Sequence, residues 1–313
     1  MFFIMGSKVI VFGSFVVDLM GRTPHLPAAG ETVKGSMFKM GPGGKGFNQG
    51  VAAHKAGADV TMITKLGRDT FGDIAVNTMK DLGMDTSHLL FSEETETGCA
   101  LIMVDENTSQ NEIVVISGAC GTITEEETLR TAELMDNAEY LLTQLETNMS
   151  SIEQVIDLAY NKGVKVILNT APVQPVTDEL LSKVWLVTPN EVEAEILTGV
   201  KVDSEESADK AAEWFFERGV KNVLITLGGR GVYINADGKK GIVPAYRVKA
   251  IDTTGAGDAF NGGLLAALSE GKDLWESAVF ANALAALSVQ KLGTTMSMPY
   301  REEIDAFLEA QAK

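Results

Sequence analysis

Short apolar runs alternate with amphipathic segments along most of the chain. Nearly continuous apolar runs are typical of strands that are buried on both faces of a sheet. Such runs cover residues 8–12, 60–64, 140–145, 164–168, 184–187 and 222–226. Helical spacing of apolar positions covers residues 46–55, 73–82, a segment from 151, 191–197, 208–218, 259–268, 274–290 and 301–310. The alternation predicts a mostly parallel sheet with helices on both faces.

Two segments depart from this alternation. The first is the stretch after the first strand, and the second is a pair of β-rich runs at 99–104 and 112–116 around a polar turn, which predicts a hairpin. Together they predict a small accessory sheet beside the main one. A capping-box pattern at Thr124 and Glu127 predicts a further helix up to about Asp136. Without a linker or repeat, residues 1–313 are expected to form one α/β domain.

Composition and charge narrow the class of partner. The chain is 45% hydrophobic with a net charge of −17, which argues against nucleic acid or an anionic membrane surface as a partner. No apolar run reaches the roughly 18 residues of a membrane span. The apolar start, Met1–Ile4, lacks the basic region of a signal peptide, and the two cysteines suggest no disulfide framework. We expect a cytoplasmic protein that binds small molecules.

The first glycine cluster, residues 41–49, reads GPGGKGFNQ and contains the spacing G-x-G-x-x-G. In a dinucleotide-binding fold this spacing directly follows the first strand, whereas here it lies far downstream of that strand. A nicotinamide-dependent oxidoreductase is therefore disfavoured. A tight turn before a helix explains the glycines but not Lys45, Asn48 and Gln49 beside them. A lysine, amides and helix-start N–H groups predict a clamp for a hydroxyl or an anion.

The second glycine cluster, residues 252–262, reads DTTGAGDAFNG and follows a β-rich run at 246–251. Its small residues, Gly255–Gly257, let backbone N–H groups approach a ligand, and the dipole of the following helix favours negative charge there. Asp258 therefore either caps the helix or takes part in a reaction. Phosphoryl transfer requires both features together, N–H donors for the developing charge and a carboxylate that accepts a hydroxyl proton.

Both clusters resemble the motifs of the ribokinase family, the pfkB-type carbohydrate kinases, and ribokinases and deoxyribokinases in particular. GPGGKGFNQGVAAHKAGA resembles the first motif and DTTGAGDAFNGGL the second. The resemblance extends along the chain through GETVKG at 30–35, QLE at 144–146, TPNEVEAEILTG at 188–199, TLGGRG at 226–231 and REEIDAFL at 301–308. It implies a ribokinase-like, doubly wound α/β domain with a small β-sheet lid over the sugar. The lid would comprise about residues 15–42 and 98–118 and would pair two copies into a homodimer.

The resemblance also implies roles for individual residues. Asp258 would be the catalytic base, and the N–H groups of Gly255, Ala256 and Gly257 the anion hole. The sugar would be held by Asp18, Gly44, Lys45, Asn48 and Glu146. The ATP side would include Asn190, Thr226, Gly228, Gly231 and Asn282. Asn190 and Glu193 resemble a motif that organises Mg²⁺. A monovalent-cation site for K⁺ would use Asp252, Thr254, Ser288, Lys291, Gly293 and Ser297.

One position departs from the family pattern. Val16 stands where ribokinases usually have Asn, two residues before the sugar-binding Asp18, and deoxyribokinases tend to be apolar there. A buried ribose hydroxyl against valine would lose a hydrogen-bond partner, whereas 2-deoxyribose would not. Phe47, where ribokinases usually have Ala, would narrow the pocket further. Another group or a water could satisfy the hydroxyl, so both sugars stay open.

The sequence thus predicts a kinase that transfers the γ-phosphoryl group of ATP to the 5-hydroxyl of ribose or 2-deoxyribose. Alternatives within the family are kinases for fructose, fructose 6-phosphate or a nucleoside such as adenosine. A nucleoside kinase would need aromatic residues in the lid, which offers Phe15 and Phe38. A phosphosugar kinase would need nearby basic residues, for which the candidates are Arg22, Lys34 and Lys39. A non-catalytic sugar- or nucleotide-binding protein would have lost Asp258 or the glycines, and both are present.

Overall fold

A large, mostly parallel sheet organises the chain, whose computed structural model describes residues 7–108 and 110–311. The apolar start at Met1–Ile4 lies outside these ranges. The strands are β1 (Lys8–Phe12), β2 (Val16–Thr23), β3 (Met37–Gly43), β4 (Val60–Ile63), β5 (Lys65–Gly67), β6 (Leu90–Ser92), β7 (Thr97–Asp105), β8 (Asn111–Gly118), β9 (Ala138–Gln144), β10 (Lys165–Asn169), β11 (Leu186–Val187), β12 (Asn222–Thr226), β13 (Val232–Ala236) and β14 (Lys239–Val243). The main sheet has the order β14-β13-β12-β11-β10-β9-β1-β4, parallel from β4 to β12.

Helices cover both faces of the main sheet, as the sequence predicts. They are α1 (Lys45–Lys55), α2 (Thr70–Asp81), α3 (Glu125–Leu129), α4 (Ala132–Met135), α5 (Met149–Asn161), α6 (Asp178–Ser182), α7 (Glu191–Thr198), α8 (Glu205–Glu217), α9 (Ala256–Ser269), α10 (Leu274–Ser288) and α11 (Arg301–Gln311). Val9 and Val11 of β1 pack into one apolar cluster with α1, α9 and α10, whereas Ile10 and Phe12 join the opposite cluster with α5 and α8. Successive side chains of a strand point to opposite faces, so both faces of β1 are buried.

The smaller sheet has the order β3-β2-β7-β8 and contains the predicted hairpin, since β7 pairs antiparallel with β8. Strand β2 pairs antiparallel with β3 and parallel with β7. Along β2, Val17 and Leu19 pack on the main core, while Asp18 and Met20 line a cleft between the sheet and the loops at 251–254 and 292–296. The small sheet therefore covers one side of that cleft.

Several segments differ from the sequence-based expectation. The predicted helix from Thr124 divides into α3 and α4, because the Thr131 N–H bonds to the Thr128 carbonyl and so tightens the turn. Residues 246–251 form no strand and instead lie along a cleft. The antiparallel pair β13 and β14 was not predicted, although Asp237 (φ 51°) and Gly238 (φ 75°) form the left-handed turn that an Asp-Gly pair favours.

Both cysteines are free thiols, in agreement with the sequence-based expectation. Among the described residues, no helix combines the length and the apolar character that a bilayer crossing requires.

Close contact between α1 and α9 sets the position of both glycine clusters. A Cβ atom on Gly262 of α9 would lie 2.4 Å from Ala52 Cβ and 2.6 Å from the Gln49 carbonyl oxygen of α1. Glycine at 262 therefore lets the two helices approach each other. Their N-terminal ends, at Lys45 and Ala256, consequently border the same cleft.

We predict that Gly262→Ala lowers the free energy of unfolding by about 1–3 kcal/mol, because the added methyl overlaps backbone atoms of α1. Gly50→Ala in α1 is the matched control, since its Cβ would lie 2.9 Å from the flexible Met62 sulfur and at ordinary contact distance, 3.8 Å, from Val11. That control should be neutral or stabilised by up to about 1 kcal/mol through higher helix propensity. Urea unfolding measures both variants. Equal stabilities of the two would contradict the proposed contact.

Candidate active site

The carboxylate of Asp258 is buried in the first turn of α9 and is held by two amides of α1. Oδ2 accepts a bond from Asn48 Nδ2 at 3.0 Å, and Oδ1 accepts one from Gln49 Nε2 at 2.9 Å. Burial raises the pKa of Asp258, and the charge of Lys45 and the two amide bonds oppose that increase. The group is thus a buried proton acceptor that neutral donors keep in one orientation.

Backbone N–H groups lie directly beside Asp258. Gly255 caps α9 in the left-handed region, with φ 76°, so Ala256 and Gly257 begin the helix with their N–H groups at its positive end. Together with Lys45 they line a cleft of about 170 Å³. An anion is the ligand that these donors suit.

Lys45 lies among several carboxylates. Burial alone would lower the pKa of Lys45, but the charges of Asp258, Glu146 and Glu193 outweigh it and raise the pKa above its ordinary value. The lysine therefore stays charged. It is placed to balance negative charge on the carboxylates and on any anion that enters the cleft.

Two carboxylates belong to the predicted sugar site. Glu146, which follows β9, accepts bonds from the Lys45 backbone N–H at 2.8 Å and from the Ser14 hydroxyl. Asp18 of β2 accepts a bond from Thr294 Oγ1 at 3.0 Å. Burial raises the pKa of Asp18 to about 6, and the charges of Glu146 and Asp258 add to the increase. Asp18 lines the cleft of about 250 Å³ beneath the small sheet.

Gly44 and Val16 contact each other at the base of the small sheet. Gly44 has φ 90°, and a Cβ there would lie 2.9 Å from the Val16 nitrogen, so the position requires glycine. Val16 is buried and shares its face of β2 with Asp18. Phe47, by contrast, packs edge-on against Phe15 in the core, with ring centroids 4.8 Å apart. Val16 therefore shares the Asp18 face of β2 with Met20, whereas Phe47 lies in the core.

A second cleft, of about 450 Å³, contains the residues predicted for the nucleotide side. Thr226, Gly228, Gly231 and Asn282 all line it. Asn282 Nδ2 donates to the carbonyls of Val243 and Pro244, both at 3.2 Å, which attaches α10 to the end of β14. Ala256, Gly257, Thr226 and Thr253 line this cleft and the 170 Å³ cleft alike. The two clefts are therefore continuous at the start of α9.

Asn190 and Glu193 form a reciprocal capping box at the start of α7. The Glu193 N–H donates to Asn190 Oδ1 at 2.8 Å, and the Asn190 N–H donates to Glu193 Oε2 at 2.9 Å. Burial raises the pKa of Glu193, and the Asn190 bond and the Lys45 charge oppose the increase. Both residues line the 170 Å³ cleft, so they border the same space as the α9 N–H groups.

The predicted cation-site residues fall into one anchored loop region. Asp252 accepts bonds from the N–H groups of Thr254 and Gly293, both at 3.0 Å. Burial would raise the pKa of Asp252, but these bonds outweigh it and hold the pKa below its usual value. The Lys291 N–H donates to the Ser288 carbonyl at 3.1 Å. Ser297 Oγ donates to the carbonyl of Thr294 at 2.7 Å.

Several polar residues of the site were not assigned from the sequence. Gln144 Nε2 donates to Gln49 Oε1 at 2.7 Å, and Gln49 Nε2 also donates to Asn169 Oδ1 at 3.1 Å. Thr295 Oγ1 donates to Asn48 Oδ1 at 2.6 Å. The QLE block contains Gln144, but nothing in a one-dimensional pattern indicates that residues so far apart meet beneath Asp258.

Comparisons with known proteins agree with this geometry. Residues 7–301 match the sequence profile of the pfkB family carbohydrate kinases. The ribokinase of Haemophilus influenzae is 43% identical over 97% of this chain and 99% of its own length. The deoxyribokinase of Salmonella typhi is 36% identical over 96% of this chain and 98% of its own length. The structure of Arabidopsis thaliana ribokinase complexed with ribose and ATP superposes with a TM-score of 0.89 at 30% identity, over 97% of this chain and 99% of that one.

The chain therefore belongs to the pfkB family of carbohydrate kinases. It is a sugar kinase, as the two glycine motifs predicted. The fold prediction is confirmed as well, in the mostly parallel main sheet and the additional small sheet.

We predict that Asp18→Asn stabilises the substrate-free protein above pH 7. Because the pKa of Asp18 is higher in the folded than in the unfolded chain, stability is lost as the pH rises from the pKa of the unfolded chain towards about 6. The variant lacks this penalty, which is at most about 3 kcal/mol at about 1.4 kcal/mol per pK unit. The gain should disappear towards pH 4, and urea unfolding at several pH values measures it.

Asp252→Asn is the control for the Asp18 prediction, because the pKa of Asp252 is lowered rather than raised. A carboxylate whose pKa is lowered by folding stabilises the protein at pH values above its pKa in the unfolded chain, and this contribution is lost as the pH falls. Asp252→Asn should therefore destabilise the protein at pH 7 and lose its effect in acid. If both variants shift stability in the same direction at pH 7, burial does not govern the Asp18 carboxylate.

Proposed function

We propose that this kinase transfers the γ-phosphoryl group of ATP to the primary 5-hydroxyl of a pentose, ribose or 2-deoxyribose. The observation that carries the proposal is the position of Asp258 beside the N–H groups of Gly255–Gly257, where the clefts meet. The Haemophilus and Salmonella relatives are kinases of these two pentoses. The Arabidopsis relative was solved with ribose and ATP.

In the proposed reaction, Asp258 accepts the proton of the sugar hydroxyl as that oxygen attacks the γ-phosphorus. The bond from the γ-phosphorus to the bridging oxygen of ADP breaks, so the products are a sugar 5-phosphate, ADP and the proton held by Asp258. The N–H groups at the start of α9 and the Lys45 ammonium face the charge that develops on the phosphoryl oxygens. Asp18, Asn48 and Glu146 would bind the remaining sugar hydroxyls and thereby orient the attacking one.

The nucleotide would occupy the 450 Å³ cleft, with Gly228, Gly231 and Asn282 around it and its phosphates towards Asn190. The negative charges of Glu193 and Asp258 near this path would repel an uncompensated triphosphate. Bound Mg²⁺ would neutralise phosphate charge and hold the β- and γ-phosphates in place. Glu193, fixed by the Asn190 capping box, is the residue we propose to organise it.

We propose that K⁺ binds at the loop of Asp252, using its carboxylate and carbonyl oxygens of neighbouring residues. Oxygen ligands of this kind suit K⁺, and the lowered pKa of Asp252 keeps that carboxylate ionised. Asp252 and Thr254 immediately precede Gly255, so a cation there would order the anion hole. Replacing K⁺ by Na⁺ at constant ionic strength should lower the rate, and equal rates would remove the cation from the proposal.

The small sheet is proposed to act as a lid, through which two copies pair. Large apolar side chains of its strands are exposed, including Phe38 at 70% and Val114 at 57%. Exposed apolar area of this kind commonly marks an interface, and sedimentation across a concentration series would show whether dimers form. We also propose a cytoplasmic location, because the use of ATP as the phosphoryl donor favours it.

We predict that Asp258→Asn lowers kcat by at least about 10²–10⁴-fold while ATP binding persists, because the amide cannot accept the sugar proton. Asp273→Asn is the matched control, since Asp273 caps α10 through a bond from the Glu276 N–H at 2.8 Å. Asparagine also caps well, so that control should retain the wild-type rate. ADP release with ribose reports both. A rate above a tenth of wild type in Asp258→Asn would contradict the assignment.

The choice between ribose and 2-deoxyribose depends on Val16. We predict that the wild type uses 2-deoxyribose at least as well as ribose, because no amide at this position binds the additional hydroxyl. Val16→Asn should shift kcat/KM towards ribose by about tenfold or more. Val16→Ala removes volume without adding a hydrogen-bonding group and should not change the ratio in that way. A strong ribose preference that Val16→Asn leaves unaltered would mean that Val16 does not contact the sugar.

A further inference from the structure

Thr295 occupies a buried position behind the proposed base, and neither the sequence motifs nor the proposed reaction uses it. It lies in a short 3₁₀ turn after α10, and its side chain is 1% exposed. Its hydroxyl lies 2.6 Å from Asn48 Oδ1 and 3.0 Å from the Pro42 carbonyl, and its single proton is donated to the nearer acceptor, Asn48 Oδ1. Pro42 belongs to β3 of the small sheet and Asn48 to α1. Thr295 therefore joins the lid to the helix that carries the partners of Asp258.

The Asn48 amide has one acceptor end and one donor end, and each end faces a different group. Its Oδ1 atom faces the Thr295 hydroxyl, and its Nδ2 atom faces Asp258 Oδ2 at 3.0 Å. Rotating the amide by half a turn would place Oδ1 against the carboxylate, and two acceptors would then repel each other. A hydroxyl that donates to Oδ1 opposes this rotation.

We propose that Thr295 is a positioning residue for the catalytic base, because its hydroxyl fixes the Asn48 amide in the orientation that donates to Asp258. The proposal rests on the proposed role of Asp258 as the base. It assigns to Thr295 no contact with the sugar or ATP.

The charges around Asp258 explain why neutral donors matter there. Lys45 is the cation of α1 that faces it, while Glu146, Asp18 of β2 and Glu193 of α7 are carboxylates that repel its ionised form. The amide bonds therefore help to keep the group ionised and able to accept a proton. Losing one of them should make Asp258 titrate at higher pH.

The second amide limits the size of the effect. Gln49 is oriented separately, because Gln144 Nε2 donates to its Oε1 at 2.7 Å. A change at Thr295 should leave the bond from Gln49 to Asp258 in place. We therefore expect a partial loss of function rather than the loss expected for Asp258→Asn.

The test compares Thr295→Val, which removes the hydroxyl at nearly constant volume, with Thr295→Ser, which keeps it. For Thr295→Val we expect the acid limb of the kcat–pH profile to move up by about one pH unit, so that kcat at pH values on that limb falls about tenfold, with KM for ATP unchanged. Thr295→Ser should resemble the wild type both in kcat and in the position of the acid limb. If Thr295→Val does not fold, Thr295→Ala removes the hydroxyl without adding volume and carries the same expectation.

Thr294→Val is the matched control, because the neighbouring hydroxyl contacts Asp18 at 3.0 Å and Pro42 at 3.3 Å but not Asn48. It should raise KM for the sugar and leave the acid limb of kcat in place. The proposal is overturned by an unchanged kcat in Thr295→Val, by a loss with an unshifted acid limb, by equal impairment of Thr295→Ser, or by the same pH shift in Thr294→Val. Asp258→Asn, measured alongside, separates these outcomes from failure of the base assignment itself.

Discussion

Burial of the Asp258 carboxylate is the constraint on which the rest of the site depends. A buried carboxylate loses hydration, so its pKa rises, and it stays a usable base only where donors replace the lost water. Those donors are the amides of Asn48 and Gln49, both on α1, whereas Asp258 is on α9. The two helices must therefore pack closely, and Gly262 permits this contact. Helix packing and the proton transfer that we propose for Asp258 are thus linked through one interface.

The charge distribution of the substrate-free site is unfavourable, and this follows from its function. Asp18, Glu146 and Glu193 lie in the same region as Asp258, and the charges of Glu146, Glu193 and Asp258 act on the Lys45 ammonium. Sugar hydroxyls donate hydrogen bonds to such carboxylates, whereas a nucleotide adds negative charge of its own. The ligand-free chain retains this repulsion, so its stability is lower than a neutral site would allow.

The small sheet contributes to the site through the alternation of its strands. Asp18 lines the cleft and Val16 shares its face of β2 by alternation, whereas Val17 and Leu19 lie on the face towards the core. A one-residue change of register would reverse these faces. The backbone of Gly44, which approaches Val16 closely, helps to hold β2 and α1 together. The residue that we propose to discriminate between pentoses therefore lies on the same strand as Asp18, the carboxylate that we propose to bind the sugar.

Local sequence patterns were sufficient for the strand–helix alternation, the hairpin of β7 and β8 and the two glycine clusters, because each depends on neighbours in the chain. The Asp-Gly turn between β13 and β14 was also a local signal, and it was overlooked. The partners of Asp258 could not be found in this way. Thr295 reaches Asn48, and Gln144 reaches Gln49, across long separations in sequence. Such contacts form only when the sheet and helices pack against each other. The local sequence around a buried threonine is the same whether its hydroxyl orients an amide or its side chain only fills space, so the sequence alone does not reveal this role.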